Sequence, residues 1–236
     1  MQTLSASLGT IVGIILTFGT TLLLQNCEQR RMERTTALMV VHNLDDFCDK
    51  ISGDAKVLEA ADSLNLFVLN NLNRLDQIPN DTLELFLKNL ANIDISIFDN
   101  SVENIFTTNI DTWKNIGSSE FVEKAGKCFA FKKMTIDLVN ESRKEKLQMR
   151  DTLMTISEYS DPPVREPHEI VKRLFKSPIT RPYIEKLHEY YIKWMKNAPA
   201  ILKEQNTKNK ELMRMTDNEL EEFGDNMKKT YSSQDQ

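Results

Sequence analysis

The chain has 236 residues and a mass of 27.3 kDa, with 30 basic and 35 acidic side chains, a net charge of −5 and 40% hydrophobic residues. That balance excludes a generally disordered chain. Seven glycines and seven prolines are both well below average usage, which excludes a turn-rich sandwich or barrel and favours long helices.

The first charged side chain is Glu28. Residues 4–24, LSASLGTIVGIILTFGTTLLL, hold twelve apolar side chains, three glycines and otherwise only Ser and Thr. As a helix they would be about 32 Å long, enough for a hydrocarbon core of about 30 Å. The segment predicts an uncleaved N-terminal anchor over residues 1–27. A secretory signal would begin with Lys or Arg, and residues 1–7 contain neither. Gln25 and Asn26 stand before Cys27, where a lipoprotein signal wants small residues. Arg30, Arg31 and Arg34 follow the span, so the basic-residue count places the following domain in the cytoplasm. Gly9 and Gly13 form a Gly-x-x-x-Gly pair, which would let a second helix approach closely and make a homodimer through the span.

Residues 28–231 read as one helical domain and 232–236 as a polar tail. Ala37, Val40, Val41, Leu44, Phe47, Cys48 and Ile51 repeat at helical spacing in a helix from Glu28 to Ile51 that would continue the membrane helix outward, with Ser52, Gly53 and Asp54 as an expected break or kink. Val57, Ala61, Leu64, Val68, Leu72 and Leu75 predict a second helix that ends before Pro79. Asp81 and Glu84 have the spacing of a capping box for a third, marked by Leu83, Phe86, Leu87, Leu90 and Ile93. Ile93, Ile95 and Ile97 alternate as a strand does, but no partner strand is evident, so residues 94–117 read as short turns with Trp113 and Ile116 inward. Ser118 or Ser119 would cap a long helix to about residue 157 with Phe121, Ala125, Cys128, Phe129, Ile136 and Val139 along it. Residues 160–163, Ser-Asp-Pro-Pro, punctuate the chain. Pro167 and Pro182 suit first turns of helices, Pro199 should kink or end one, and Thr216 with Glu219 forms another capping box. The fold class expected is all-α: a transmembrane helix followed by a bundle of about six to eight helices.

Charge is unevenly spread. Residues 43–123 carry a net −10 and residues 124–215 a net +8, so the two stretches should attract each other within one compact bundle. The basic stretch is interleaved with Glu at helical spacing, as on a solvated, salt-bridged face. That makes nucleic acid or anionic lipid a minor partner class.

Chemistry is sparse. Three cysteines cannot pair completely and match neither a zinc site nor Cys-x-x-Cys, so Cys48 and Cys128 read as small buried hydrophobes. A bridge between those two is left open by sequence alone. Glu185 and His188 have the Glu-x-x-His spacing of di-iron helix bundles, but the second such motif is missing. His42 and His168 complete no metal pair, and no phosphate loop, dinucleotide fingerprint or nucleophile elbow occurs. No cofactor is expected. Tyr183, Tyr190, Tyr191 and Trp194 read as core or partner-helix packing.

Gly9, Leu24-Gln25-Asn26 and Glu28-Gln29-Arg30-Arg31, together with residues 106–129, FTTNIDTWKNIGSSEFVEKAGKCF, resemble a group of uncharacterised bacterial single-pass membrane proteins with an N-terminal anchor and a helical domain. The resemblance implies bacterial origin and an inner-membrane location, and for the group itself a helical domain outside the cytoplasmic membrane. This chain departs from the group in lacking a basic N-terminal lead. The function expected is a non-enzymatic interaction or sensory module tethered to the lipid bilayer, with an unidentified protein as partner. The alternatives are a membrane-proximal metal protein or enzyme using Glu185 and His188, and anionic lipid or nucleic-acid binding through the basic stretch.

Overall fold

The computed structural model describes residues 2–92, 113, 116–158 and 165–232. Among them are seven α-helices and no strand, so the chain is an all-α helical bundle. In chain order these are α1 (Gln2–Asn70), α2 (Asn80–Ala91), α3 (Ser119–Glu158), α4 (Pro167–Leu174), α5 (Thr180–Tyr190), α6 (Ala198–Leu212) and α7 (Asp217–Ser232). A 3₁₀ turn (Leu72–Gln77) follows α1 and a π turn (Tyr191–Met195) follows α5. The side chains of residues 1–23 lie outside the described set, so the expected span over residues 4–24 and the close approach at Gly9 and Gly13 lie outside it too. Among the described residues no helix is long and apolar enough to cross a membrane. Ile93, Ile95, Ile97, residues 159–164 and the tail 233–236 are likewise outside the described residues.

The chain divides into two compact units. One comprises Met1–Asn43, Asn100–Ala125 and Lys208–Gln236; the other comprises Leu44–Asp99 and Gly126–Thr207. The second unit combines an acidic stretch with a basic one, residues 44–99 at net −7 and residues 126–207 at net +5.

The expected apolar stripe from Ala37 to Ile51 is buried throughout, at 0 to 3% exposure. The break expected at residues 52–54 is absent: α1 continues to Asn70. Gly53 costs about 1 kcal/mol relative to alanine in a helix. That cost is outweighed by Ile51 and Leu58, which pack on either side, while the Ser52 hydroxyl donates to the Cys48 carbonyl one turn back at 2.7 Å. α1 ends where the Asn71 side-chain amide donates to the Phe67 carbonyl at 2.8 Å, one of the carbonyls left open at a helix end.

The Asp81–Glu84 capping box also fails to form. α2 begins at Asn80 behind Pro79, whose carbonyl receives the N–H groups of Thr82 and Leu83. Asp81 is thus inside the first turn, where its charge favours the helix dipole instead of capping. Ser118 does cap α3, its hydroxyl accepting the Phe121 N–H at 3.2 Å, and the six apolar residues expected along α3 are all buried. Pro167 opens α4 and Pro182 lies in the first turn of α5.

Pro199 stands second in α6, and the helical run is interrupted just before it, at residues 196–197, as expected of a proline there. Having no N–H, it cannot bond the carbonyl one turn earlier, and its ring crowds that turn. The chain answers with the π turn, in which the Lys196 N–H reaches the Tyr191 carbonyl at 3.0 Å.

The core of the second unit gathers Val68, Leu75, Leu83, Phe86, Leu90, Met149, Leu174 and Ile184, with Phe86 stacked on Phe175 at 6.2 Å. Each such side chain contributes on the order of 1.5–3 kcal/mol of burial. In the first unit, Arg34 of α1 holds the α6–α7 turn. Arg214 occupies the left-handed position that closes α6 (φ 50°), with Met215 N–H on the Lys210 carbonyl and Arg214 N–H on the Glu211 carbonyl. This is a Schellman closure without its usual glycine. The Arg34 guanidinium donates to the Met213 and Arg214 carbonyls there, and to Glu219 at 2.6 and 2.8 Å. The expected capping box is present: Glu219 accepts the Thr216 N–H at 2.9 Å, and the Thr216 hydroxyl accepts the Glu219 N–H at 3.3 Å.

Candidate functional site

One polar seam of the second unit joins α5 to α1. His188, near the end of α5, meets Asp62 of α1, with Nδ1 2.9 and 3.0 Å from the two carboxylate oxygens. A carboxylate accepts, so the imidazole N–H donates. The Asp62 side chain is 8% exposed and that of His188 33%. One helical turn further on, the Tyr191 hydroxyl donates to Glu59, and burial with that bond pushes the phenol above its ordinary range. Asn65, 2% exposed, lies one turn beyond Asp62, and its side-chain oxygen has no partner among the described residues.

Glu185 does not join His188. It is half-exposed and lies 3.9 Å from Arg181 within its own helix. Among the described residues no group of three or more His, Cys, Asp or Glu side chains is arranged to hold a metal ion. His168 bonds the Ile78 carbonyl at 3.0 Å, and His42 packs edge-on against Phe223 with ring centroids 5.9 Å apart. Cys48 and Cys128 are buried thiols that form no disulfide, and burial pushes Cys48 up to about 12. Such a thiol is a poor nucleophile, because the thiolate is the reactive form.

A groove runs between α3 and α5. At one end is a hollow of about 310 Å³ walled by Met149, Pro178, Ile179, Pro182 and Tyr183. Next is one of about 170 Å³ over Leu138, Leu187 and Trp194. Beyond that lies a recess of about 30 Å³ at Asp54, Lys146 and Met195. Glu145 and Lys186 border both the first and the second hollow; Ser142 and Tyr190 border both the second and the recess. Lys186 straps the groove by pairing with Glu145 and, at 3.4 Å, with Glu141. The π turn sets its far edge, and such turns are frequent at functional sites. The Tyr183 and Tyr190 hydroxyls are buried without a hydrogen-bond partner among the described residues. Desolvation raises both phenols well above their ordinary value, with Glu145 adding to the effect on Tyr183 and Asp54 to that on Tyr190.

No family model, curated protein or solved structure matches the chain. The site therefore stands on its own geometry.

Sequence reasoning placed His188 on a helix but missed its partner. Asp62 and Asn65 interrupt an apolar line at Leu58, Leu69 and Val68, and polar residues at core spacing were the available signal. Of the aromatic run, Tyr183 and Tyr191 are buried and Tyr190 packs partly buried against the core as expected, and Tyr183, Tyr190 and Trp194 border the groove. The basic stretch carries interleaved ion pairs at helical spacing as expected, among them Arg173 with Glu169 at 3.1 Å and Lys193 with Glu189 at 3.1 Å, and Lys172 pairs with Asp76 of the acidic stretch at 2.9 Å.

Proposed function

We propose that the chain is a membrane-anchored helical interaction or sensory module without enzymatic activity, tethered through residues 4–24 and presenting its helices to a protein partner. The observation that carries this reading is the continuity of α1: one uninterrupted helix of 69 residues includes the apolar segment, the basic cluster at Arg30, Arg31 and Arg34, and the core positions from Ala37 to Val68. A helix rises ~1.5 Å per residue without slack, so a twist or shift imposed at its apolar end is carried to packed side chains. The basic residues beside the apolar segment favour a cytoplasmic domain, and the resemblance to bacterial single-pass proteins supports a bacterial inner membrane.

The test is fractionation with topology labelling. The full chain should sediment with membranes and resist alkaline extraction, and a variant lacking residues 1–24 should not. A single cysteine at Ser233, in a version lacking Cys27, Cys48 and Cys128, should react with a membrane-impermeant thiol reagent only after lysis. Recovery of the full chain in the soluble fraction would refute the tether, and labelling in intact or outer-membrane-permeabilised cells would refute the cytoplasmic side. Stoichiometric iron, manganese or zinc on the purified protein, lost in His188→Ala, would refute the non-enzymatic reading in favour of a metal protein.

A further inference from the structure

The solvent side of the second half of α1 carries an apolar line where a bundle helix is ordinarily polar. Gly53, Val57, Ala60, Leu64 and Phe67 follow one another at alternating steps of four and three residues. Val57 is 61% exposed and Phe67 47%; Gly53 and Ala60 are exposed and Leu64 is half-buried. A side-chain carbon added at Gly53 would meet nothing within 4 Å. The face that α1 turns into the core is a different one, with Ile51, Asp62, Asn65 and Val68. The exposed spacing is that of a coiled-coil seam, in which Val57 and Leu64 take a positions and Gly53, Ala60 and Phe67 take d positions. Lys50 holds the preceding a position, and α1 ends at Asn70. A lysine at an a position specifies register and oligomer state. Asp49 and Lys50 are both exposed and make no ion pair among the described residues.

We propose that this line is a dimerisation surface, packing on the same line of a second copy of the chain with the two α1 helices parallel. Charge complementarity selects the occupant and its direction. In a parallel pair Asp49, at a g position, lies beside Lys50 of the second copy at the adjoining a position, and the twofold axis repeats the match. Antiparallel helices centred on Ala60 would set Asp49 and Lys50 against Asn71 and Asn70 and leave every one of those charges unmatched. The seam from Gly53 to Phe67 is about 21 Å long at ~1.5 Å per residue. That is about two heptads, short of the three or four of a self-sufficient coiled coil. Confinement completes it: copies tethered through residues 4–24 to one bilayer present α1 in the same direction at high effective concentration. The proposal thus names the partner of the tethered module and rests on that reading.

The test is a cysteine scan of the full chain in membranes, in the version lacking Cys27, Cys48 and Cys128. Val57→Cys, Ala60→Cys, Leu64→Cys and Phe67→Cys should each be joined into a dimer by a short bismaleimide. Glu59→Cys and Asn70→Cys, on other faces of the same helix, should react with a monofunctional maleimide yet give no dimer. Adding Lys50→Glu to Ala60→Cys sets like charges together and should lower the dimer yield by about fivefold or more; adding Asp49→Lys as well should restore it. No dimer at the seam positions, or equal yields at Glu59 and Asn70, overturns the surface. A yield indifferent to Lys50→Glu, or joining of Gly53→Cys to Phe67→Cys in mixed membranes, overturns the parallel arrangement. A cross-linked product with a mass other than that of two chains shows a different protein on the face and overturns self-association. Recovery of the chain in the soluble fraction refutes the tether, and the same cross-links, scored there, decide the surface separately.

Discussion

Glu219 carries two loads in the first unit, and substitution separates them. Its carboxylate pairs with Arg34 at 2.6 Å and closes the α7 capping box on Thr216 at 2.9 Å. The Arg34 bond first, then the Thr216 backbone bond, hold its carboxyl at about 2 instead of 4.5. Unscreened, that difference would correspond to about 3 kcal/mol at ~1.36 kcal/mol per pH unit. With 41% of the Glu219 side chain and 31% of the Arg34 side chain exposed, water screens most of it. An exposed pair contributes ~0.2–1 kcal/mol and an N-terminal cap about 1 kcal/mol. Glu219→Ala should therefore cost about 1–2 kcal/mol. Glu219→Gln, which keeps the reach-back to Thr216 but removes the charge, should cost about half as much.

The pH dependence follows in sign. A carboxyl depressed in the folded state stabilises fully above its unfolded value near 4.5, and that contribution disappears as pH falls toward 2. Urea denaturation of wild type and Glu219→Gln at pH 7 and pH 3 reads this directly, and the gap between the two should shrink by more than half. A gap that is the same at both pH values would refute the assignment of the charge to Arg34, as would a gap that persists in an Arg34→Met background.

The Asp62–His188 pair should respond asymmetrically, because the two partners differ in exposure. His188→Ala strands a buried carboxylate and should cost about 2–4 kcal/mol, whereas Asp62→Ala leaves an imidazole that water can reach and should cost nearer 1–2 kcal/mol; equal costs by chemical denaturation would show that Asp62 is not desolvated. Iodoacetamide at pH 8 should modify Cys27, which is exposed, and leave Cys48 and Cys128 untouched until urea opens the fold. Mass spectrometry showing more than one adduct on the native chain would contradict the burial of those two thiols.

The apolar stripes were legible because burial repeats at the helix period: every stripe residue from Ala37 to Ile51, and those of α3 from Phe121 to Val139, is in a core. Helix ends were legible where a side chain itself makes the cap, as at Ser118 and Thr216. They were not where a tertiary contact or a backbone substitute decides. Gly53 reads as a break in isolation, and packing carries the helix through it. Asp81 has cap chemistry, but Pro79 had already supplied the carbonyl. The interior of the α1–α5 seam was the least legible part. Asp62 and Asn65 look like solvent-side residues beside Val57 and Phe67, yet Val57 is 61% and Phe67 47% exposed while the polar pair is buried. Periodicity finds the apolar line and cannot say when a carboxylate replaces part of it, since that depends on a histidine 126 residues away.

The division of the chain has a consequence for how the protein is made. The second unit is drawn from residues within 44–207, while the first needs pieces from before, between and after them. As the chain leaves the ribosome, the Arg34 end of α1 emerges early and waits for Glu219, 185 residues later, and loops closed over such separations form slowly. The inner unit can therefore be complete while the outer one is still open along Ala37, Val40 and Val41. Chaperone capture, premature proteolysis or association between nascent chains should strike at that apolar edge first.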